Sequence, residues 1–291
     1  MRKPNTPPRG LHKALSVLAA GVMLTAGMAA LPANAATTSY PDHIVNGDFE
    51  YPRIFDNQLK NRADWTAIAP SDGTYLDWAE TKDASTAAWK PITGFNATIF
   101  AWTSTQDSSN YQKDHQQKAG AVELQQDNKT GNYYAELCAD QAGTAIYQDI
   151  ATTPGAVYTW RLKHTSLSSK HVDSMSVMIG APGKETAQQA YRETVNGNGD
   201  KIGPVGTTIA TVTATPPNTT MEVRDHGTQW ETYSGSYTIP AGQTVTRFTF
   251  KSLAGMAHNY GNLLDDISFS VSYPLHYDLK GGSGTAPQQH D

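Results

Sequence analysis

Val157-Tyr158-Thr159-Trp160-Arg161-Leu162-Lys163-His164 alternates with a period of two, Val157, Thr159, Arg161 and Lys163 opposing Tyr158, Trp160, Leu162 and His164. Successive side chains of a strand point to opposite faces, so this run predicts a strand with one face in a core and one toward water. Thr244 to Phe250 repeats the pattern: Val245, Arg247 and Thr249 oppose Thr244, Thr246, Phe248 and Phe250. Thr153-Pro154-Gly155 and Ile239-Pro240-Ala241-Gly242 read as turns between such strands. Working outward, strands are predicted at 44–50, 120–125, 133–138, 144–150, 157–164, 173–180, 207–213, 232–238, 244–251 and 264–272. Helix-capable sequence is confined to 184–196 (KETAQQAYRETVN), read as a short surface helix. Many short strands broken by Gly, Pro, Asn and Asp predict an all-β sandwich or barrel.

The N-terminus reads as a secretory signal. Arg2, Lys3, Arg9 and Lys13 precede an apolar run from Leu15 to Leu31, and Ala33-Asn34-Ala35 is a small-x-small cleavage site. The run is too short for a spanning helix, so no membrane insertion of the mature chain is expected. Cleavage near Ala35 lowers the 22 basic residues to 18 against 27 acidic ones, a net charge of −9. No Lys/Arg run follows the signal, which argues against nucleic acid as a partner. The single cysteine, Cys138, cannot form an internal disulfide and is expected to be a buried, inert thiol. Stability must therefore come from a large core, and about 240 residues suffice for one sandwich or two small domains.

Residues 51–119 are long for a connection and unusually aromatic, with Trp65, Tyr75, Trp78, Trp89, Phe95, Trp102 and Tyr111. Such content argues against disorder and for a functional segment. Flat C–H faces of sugar rings stack on Trp and Tyr, while carboxylates and amides take the hydroxyls. Trp78, Trp89, Trp102 and Tyr111, with Asp77 and Asp107, are therefore the candidate ligand-binding residues, although for each aromatic a place in the core is the competing expectation. Trp160 and Trp230 lie in regular strand patterns and are expected in the core. There is no Gly-x-Ser-x-Gly elbow and no His-Glu-x-x-His, so no catalytic residue is assigned. Glu123 and Glu136 lie in strands and are the one conceivable carboxylate pair. The sequence does not fix their separation.

Ile44-Val45-Asn46-Gly47-Asp48-Phe49-Glu50 and Asn262-Leu263-Leu264-Asp265-Asp266-Ile267-Ser268-Phe269 bracket the strand-bearing region. Between them lie Trp65, Gly131-Asn132-Tyr133-Tyr134, Pro154-Gly155-Ala156-Val157-Tyr158 and Trp230-Glu231-Thr232-Tyr233-Ser234-Gly235-Ser236-Tyr237. In this order, over about residues 40–273, the motifs resemble galactose-binding-like, carbohydrate-binding-module-type β jelly rolls of bacterial surface proteins. Segments 66–119 and 181–230 depart from the simple modules, so the family's binding residues cannot be carried over by position. The resemblance implies a jelly-roll β-sandwich with long loop insertions whose terminal strands lie side by side. It also implies a structural Ca2+ there, with Asp48, Glu50, Asp265 and Asp266 as candidate ligands. Asn196-Gly197-Asn198-Gly199-Asp200 has oxygens at alternate positions but lacks a calcium loop's closing residues, and it reads as a turn. Leu275 to Pro287, with Tyr277-Asp278-Leu279-Lys280-Gly281-Gly282, resembles the opening of an internalin-B-type B repeat. The expected organisation is a signal peptide (1–35), a short linker (36–39), the jelly roll (40–273) and the start of a truncated β-grasp-like repeat (274–291). The expected function is non-catalytic glycan binding on an exported bacterial cell-surface protein, serving adhesion or substrate targeting. A protein-binding or structural adhesin domain is the alternative, and a glycan-active hydrolase the third.

Overall fold

The computed structural model describes residues 39–272 except 61–63, 78–87, 109–117, 169–170, 196–200, 209–210, 213–220, 227–229 and 258–259. For 193–195, 201–208, 211–212 and 221–226 it describes the backbone alone. The signal segment, Trp78, Tyr111, the 196–200 turn and the repeat-like tail lie outside these residues.

In chain order the elements are α1 (Ile54–Asn57), β1 (Trp65–Ala69), β2 (Thr74–Asp77), β3 (Ala88–Pro91), α2 (Ala97–Phe100), β4 (Thr103–Ser104), β5 (Val122–Gln126) and β6 (Tyr133–Glu136). There follow β7 (Ala145–Ala151), β8 (Val157–Ser166), β9 (Val172–Gly180), β10 (Thr186–Ala187), β11 (Tyr191–Val195), β12 (Lys201–Thr208) and β13 (Thr211–Val212). The last are β14 (Met221–His226), β15 (Glu231–Thr238), β16 (Val245–Ala254) and β17 (Asn262–Val271). One sheet runs β12-β11-β15-β8-β17-β6-β5-β1-β2-β3, and the other β13-β14-β9-β16-β7-β4 with β10 on β9. Adjacent strands in both sheets are antiparallel, so the molecule is a jelly-roll β-sandwich. Among the described residues no helix is long and apolar enough to cross a membrane.

The alternation of β8 is realised: Tyr158, Trp160, Leu162 and His164 are buried, Thr159, Arg161 and Lys163 half-buried, and Val157 exposed. Thr246, Phe248 and Phe250 of β16 face them from the other sheet. Phe248 packs 4.8 Å from Phe250 and 5.0 Å from Phe269, and Tyr158 lies 4.8 Å from Phe269. Aromatic pairs at such separations add to area burial. Gly235 is paired with Trp160, whose Cζ2 would sit 2.4 Å from a Cβ there. Cys138 is buried and free, as expected.

The termini of the sandwich meet, though not as two strands. Residues 44–50, predicted as a strand, form bends and a turn, with positive φ at Asn46 (52°) and Phe49 (53°). The turn still buries Ile44 and Phe49, which gave the segment its strand-like apolar spacing. The Gly47 carbonyl accepts the Ile267 amide at 2.9 Å, joining this turn to β17.

Two more expectations are corrected. The helix at 184–196 is instead β10 and β11, because β9 and β15 offer them unpaired edges that outweigh local helix preference. Residues 51–119, read as a long functional segment, build much of the fold. β1, β2 and β3 extend the larger sheet, and Ile54, Phe55, Leu59, Ile68, Tyr75, Ile92, Phe100 and Trp102 enter the main core.

Candidate functional site

Strands β1, β5 and β6 turn Ile68, Val122, Leu124, Tyr133 and Ala135 into the core between the sheets. Alternation then sends Trp65, Ala67, Glu123, Gln125, Tyr134 and Glu136 to the outer face of the larger sheet. Register assembles them. Glu123 stands opposite Ala67 on one side and Glu136 on the other, and Glu136 stands opposite Leu263. One position along, Gln125 stands between Trp65 and Tyr134. Leu76 and its cross-strand partner Trp89 pack with Ala67, carrying this face to the sheet edge.

The carboxyls of this face are buried, Glu123 3% and Glu136 1% exposed. Gln125 Nε2 donates to Glu123 Oε1 at 2.9 Å and to Glu136 Oε2 at 2.5 Å. Burial pushes Glu123 up to about 8, helped by the charge of nearby Asp140. Glu136 is raised well above the usual carboxylate range, first by burial and then by Glu123. Two carboxyls this close and this dry cannot both ionise near neutrality, so they behave as one proton-holding pair.

Aromatic rings share this face with the carboxyls. Tyr134 and Trp230 meet edge to face at 5.4 Å, although β17 and β8 separate the strands beside them. Both rings lean across the sheet to do so, and Leu263 and Thr165, paired on the two intervening strands, are buried. Trp65, Tyr134, Trp230 and Trp89 are each half-buried and keep part of their surface toward solvent. Burial and nearby carboxylates push the Tyr134 hydroxyl up to about 12. Trp230 is thus no core residue, contrary to the expectation, whereas Trp160 is.

The expected ligand-binding set divides. Trp89 lies on the outer face just described, with the Lys118 ammonium 4.9 Å above its ring. Trp102, expected as a sugar contact, is 1% exposed and belongs to the core. It packs 5.2 Å from Phe49, and its Nε1 donates to the Asn46 carbonyl at 2.8 Å. Asp77 is buried and paired with Lys90 at 2.9 Å. Asp107 is exposed and exchanges two hydrogen bonds with Gln141, clasping two loops. Trp78 and Tyr111 fall outside the described residues. Trp65, Gln125, Tyr134 and Trp230 were not among the expected site residues. The signal that points to them is strand phase: polar Glu123, Gln125 and Glu136 share one face.

The four expected metal ligands also divide. Glu50 Oε1 accepts the Tyr133 amide at 3.2 Å, and Asp265 Oδ2 accepts Asn132 Nδ2 at 2.9 Å, so both reach the start of β6. Asp265 is buried and pushed up to about 6, chiefly by desolvation. A one-residue bulge between Asp265 and Ser268, with Asp266 at φ 48°, turns Asp266 outward to Lys163 at 2.5 Å. Asp48 is exposed and accepts the Glu50 amide, at 3.4 Å. Glu50 also pairs with Arg53. Among the described residues no three Asp, Glu, His or Cys side chains gather as a metal site. A cation here would depend on Glu50, Asp265 and neighbouring carbonyl oxygens.

No protein-family model and no curated protein matches the chain. Solved structures similar to it include a family 4 carbohydrate-binding module at 15% identity, covering 79% of this chain and 99% of that one, with a TM-score of 0.37. Another is the CBM22-2 xylan-binding domain from Paenibacillus barcinonensis Xyn10C, at 6% identity over 59% and 92%, TM-score 0.34. A family 35 carbohydrate-binding module from Clostridium thermocellum is 13% identical over 50% and 85%, TM-score 0.29. At such identities the question of what this molecule binds rests with its own side chains.

Proposed function

We propose that the chain is a non-catalytic glycan-binding module of an exported bacterial surface protein, and that glycan lies on the outer face of the larger sheet. The observation that carries this reading is the row of half-exposed rings, Trp65, Tyr134, Trp230 and Trp89, on a face whose polar groups are directed by strand register. Rings of this kind offer the apolar floor that a sugar's C–H face requires. Exposed aromatic residues next to buried, hydrogen-bonded polar ones are the usual make-up of a site, whereas a core would bury the rings. Glu123 and Glu136 support the non-catalytic reading. They are neighbours on one face, share one amide and are almost fully buried, whereas a hydrolase needs two carboxyls flanking an accessible bond.

A structural Ca2+ between Glu50 and Asp265 is the second part of the proposal. Its support is that Asp265 is a buried carboxylate whose hydrogen-bond partners, Asn132 and its own neighbour's amide, are neutral. Asp48 and Asp266 are left out of this site because each points elsewhere.

A glycan array with the folded protein tests the main reading. Hits should weaken at least tenfold in Trp65→Ala and Trp230→Ala while both variants keep the wild-type melting temperature. A folded protein that binds nothing on the array puts the structural or protein-binding adhesin reading ahead.

A further inference from the structure

On the opposite side of the sandwich the smaller sheet carries a separate cleft of about 480 Å³, within the range of small-molecule sites. One wall is the N-terminal arm at Tyr40 and Pro41, the other is Thr98 and Ala101 of the α2 turn, and the floor is Thr103, Tyr147 and Asp149. None of these residues belongs to the ring-lined face described above.

The cleft is built rather than incidental. The arm is held down by the Ala151 amide on the Pro41 carbonyl at 2.7 Å. The side-chain amide of Gln148 adds two bonds to the Val45 backbone, at 3.1 and 2.6 Å. The opposite wall is fixed by an Asn96 cap on the Thr98 amide at 2.9 Å and by a left-handed turn at Ala101, φ 59°. On the floor Arg247 lies 4.0 Å over the Tyr147 ring and grips Asp149 with two hydrogen bonds, at 2.6 and 2.8 Å. The guanidinium therefore occupies one face of Tyr147. The part of the ring that the guanidinium leaves uncovered lines the cleft.

We infer that this cleft is a second carbohydrate subsite, one that takes a single neutral hexose ring such as the free end of a glycan. The cleft is lined by the Tyr147 ring, by Tyr40, by the hydroxyl oxygens of Thr98 and Thr103, which donate to Asn96 and to the Gly120 carbonyl and remain acceptors, and by a carboxylate already oriented by an arginine. Such a set reads ring hydroxyls. Arg247 is matched by Asp149 and approached by Glu185 at 3.5 Å, so no net positive charge remains for an acidic sugar. Fixed walls keep the cost of ordering low. The cleft is open to solvent along one side and its volume suits one ring, whereas the outer face of the larger sheet can accept an extended chain.

Saturation-transfer NMR with glucose, galactose, mannose and N-acetylglucosamine, each in millimolar excess, tests the subsite. At least one sugar should receive saturation from the wild-type protein. That signal should persist in the double variant Trp65→Ala/Trp230→Ala, which removes the rings of the larger sheet, and fall to background when Tyr147→Ala or Thr98→Trp, which fills the cleft from an exposed position, is added to that double variant. Thr98→Trp decides the matter should Tyr147→Ala fail to fold. Absence of transfer from the double variant to all four sugars, or a signal that survives Thr98→Trp in it, overturns the inference without touching the proposal for the larger sheet.

Discussion

Glu123 and Glu136 stand directly opposite each other on β5 and β6, nearly inaccessible to water, and bond to the same Gln125 amide. Their carboxyls keep protons that an unfolded chain releases near the ordinary glutamate value of 4.5. Between that pH and about 8 the native state therefore binds more protons than the unfolded state, and stability falls as pH rises through the window. Thermal melting from pH 5 to 9 should show this decline, and Glu123→Gln should flatten it. At pH 8 the variant should melt a few degrees higher, in line with about 1 kcal/mol and roughly 2–4 °C for a domain of this size. Equal pH slopes for the two proteins would show that the pair does not share a proton.

Gly47 and Ile267 join the two ends of the sandwich at a distance that only glycine allows. A Cβ on Gly47 would fall 1.9 Å from the Ile267 carbonyl oxygen, so the backbone would have to part. Gly47→Ala should cost about 1–3 kcal/mol, read as a lower urea midpoint with an unchanged slope. An unshifted midpoint would mean that turn 44–50 does not pack on β17 in solution.

Strand phase was legible in the sequence wherever a strand has one wet face, and register was not. The alternation of 157–164 appears in the fold as written, and that of 244–250 appears over Val245–Phe248 but not at its ends, where Thr244 is exposed and Thr249 is buried, because each strand must hide one row of side chains along the stretch the other sheet covers. Glu123 and Glu136 were visible as strand residues, but their meeting depends on the turn at 127–132, where Asp127 accepts the amides of Lys129 and Thr130. Residues 44–50 carry strand-like spacing yet form a turn, since Asn46 and Phe49 adopt left-handed backbone that apolar periodicity does not report. Trp102 and Trp89 stand in equally aromatic sequence. Only the packing of Phe49 and Phe250 around Trp102 separates a core ring from a surface one.

Trp102 and Trp89 accordingly predict opposite phenotypes. Trp102→Ala removes a fully buried ring and its bond to Asn46, and it should cost about 3–5 kcal/mol, enough to leave much of the protein unfolded at 37 °C. Trp89→Ala removes a half-buried edge residue over a small satellite cluster and should cost under about 1 kcal/mol. Chemical denaturation of the two variants side by side checks the assignment. Similar losses would return Trp89 to the core and take it out of the glycan face.

Glu50 and Asp265 provide the test of calcium. An ion bound only by the folded chain stabilises it by mass action, about 2.7 kcal/mol at a hundredfold excess over its dissociation constant. Adding EGTA should then lower the melting temperature by roughly 5–10 °C relative to excess Ca2+. Glu50→Gln should abolish the difference, because it halves the carboxylate set that converges on Asn132 and Tyr133. Asp48→Asn and Asp266→Asn should preserve it, since those side chains face solvent and Lys163. Superimposable melting curves with chelator and with calcium would leave Asp265 as a buried, proton-holding carboxyl bonded to Asn132, and the junction of the termini would then be held by Gly47 and Ile267 without an ion.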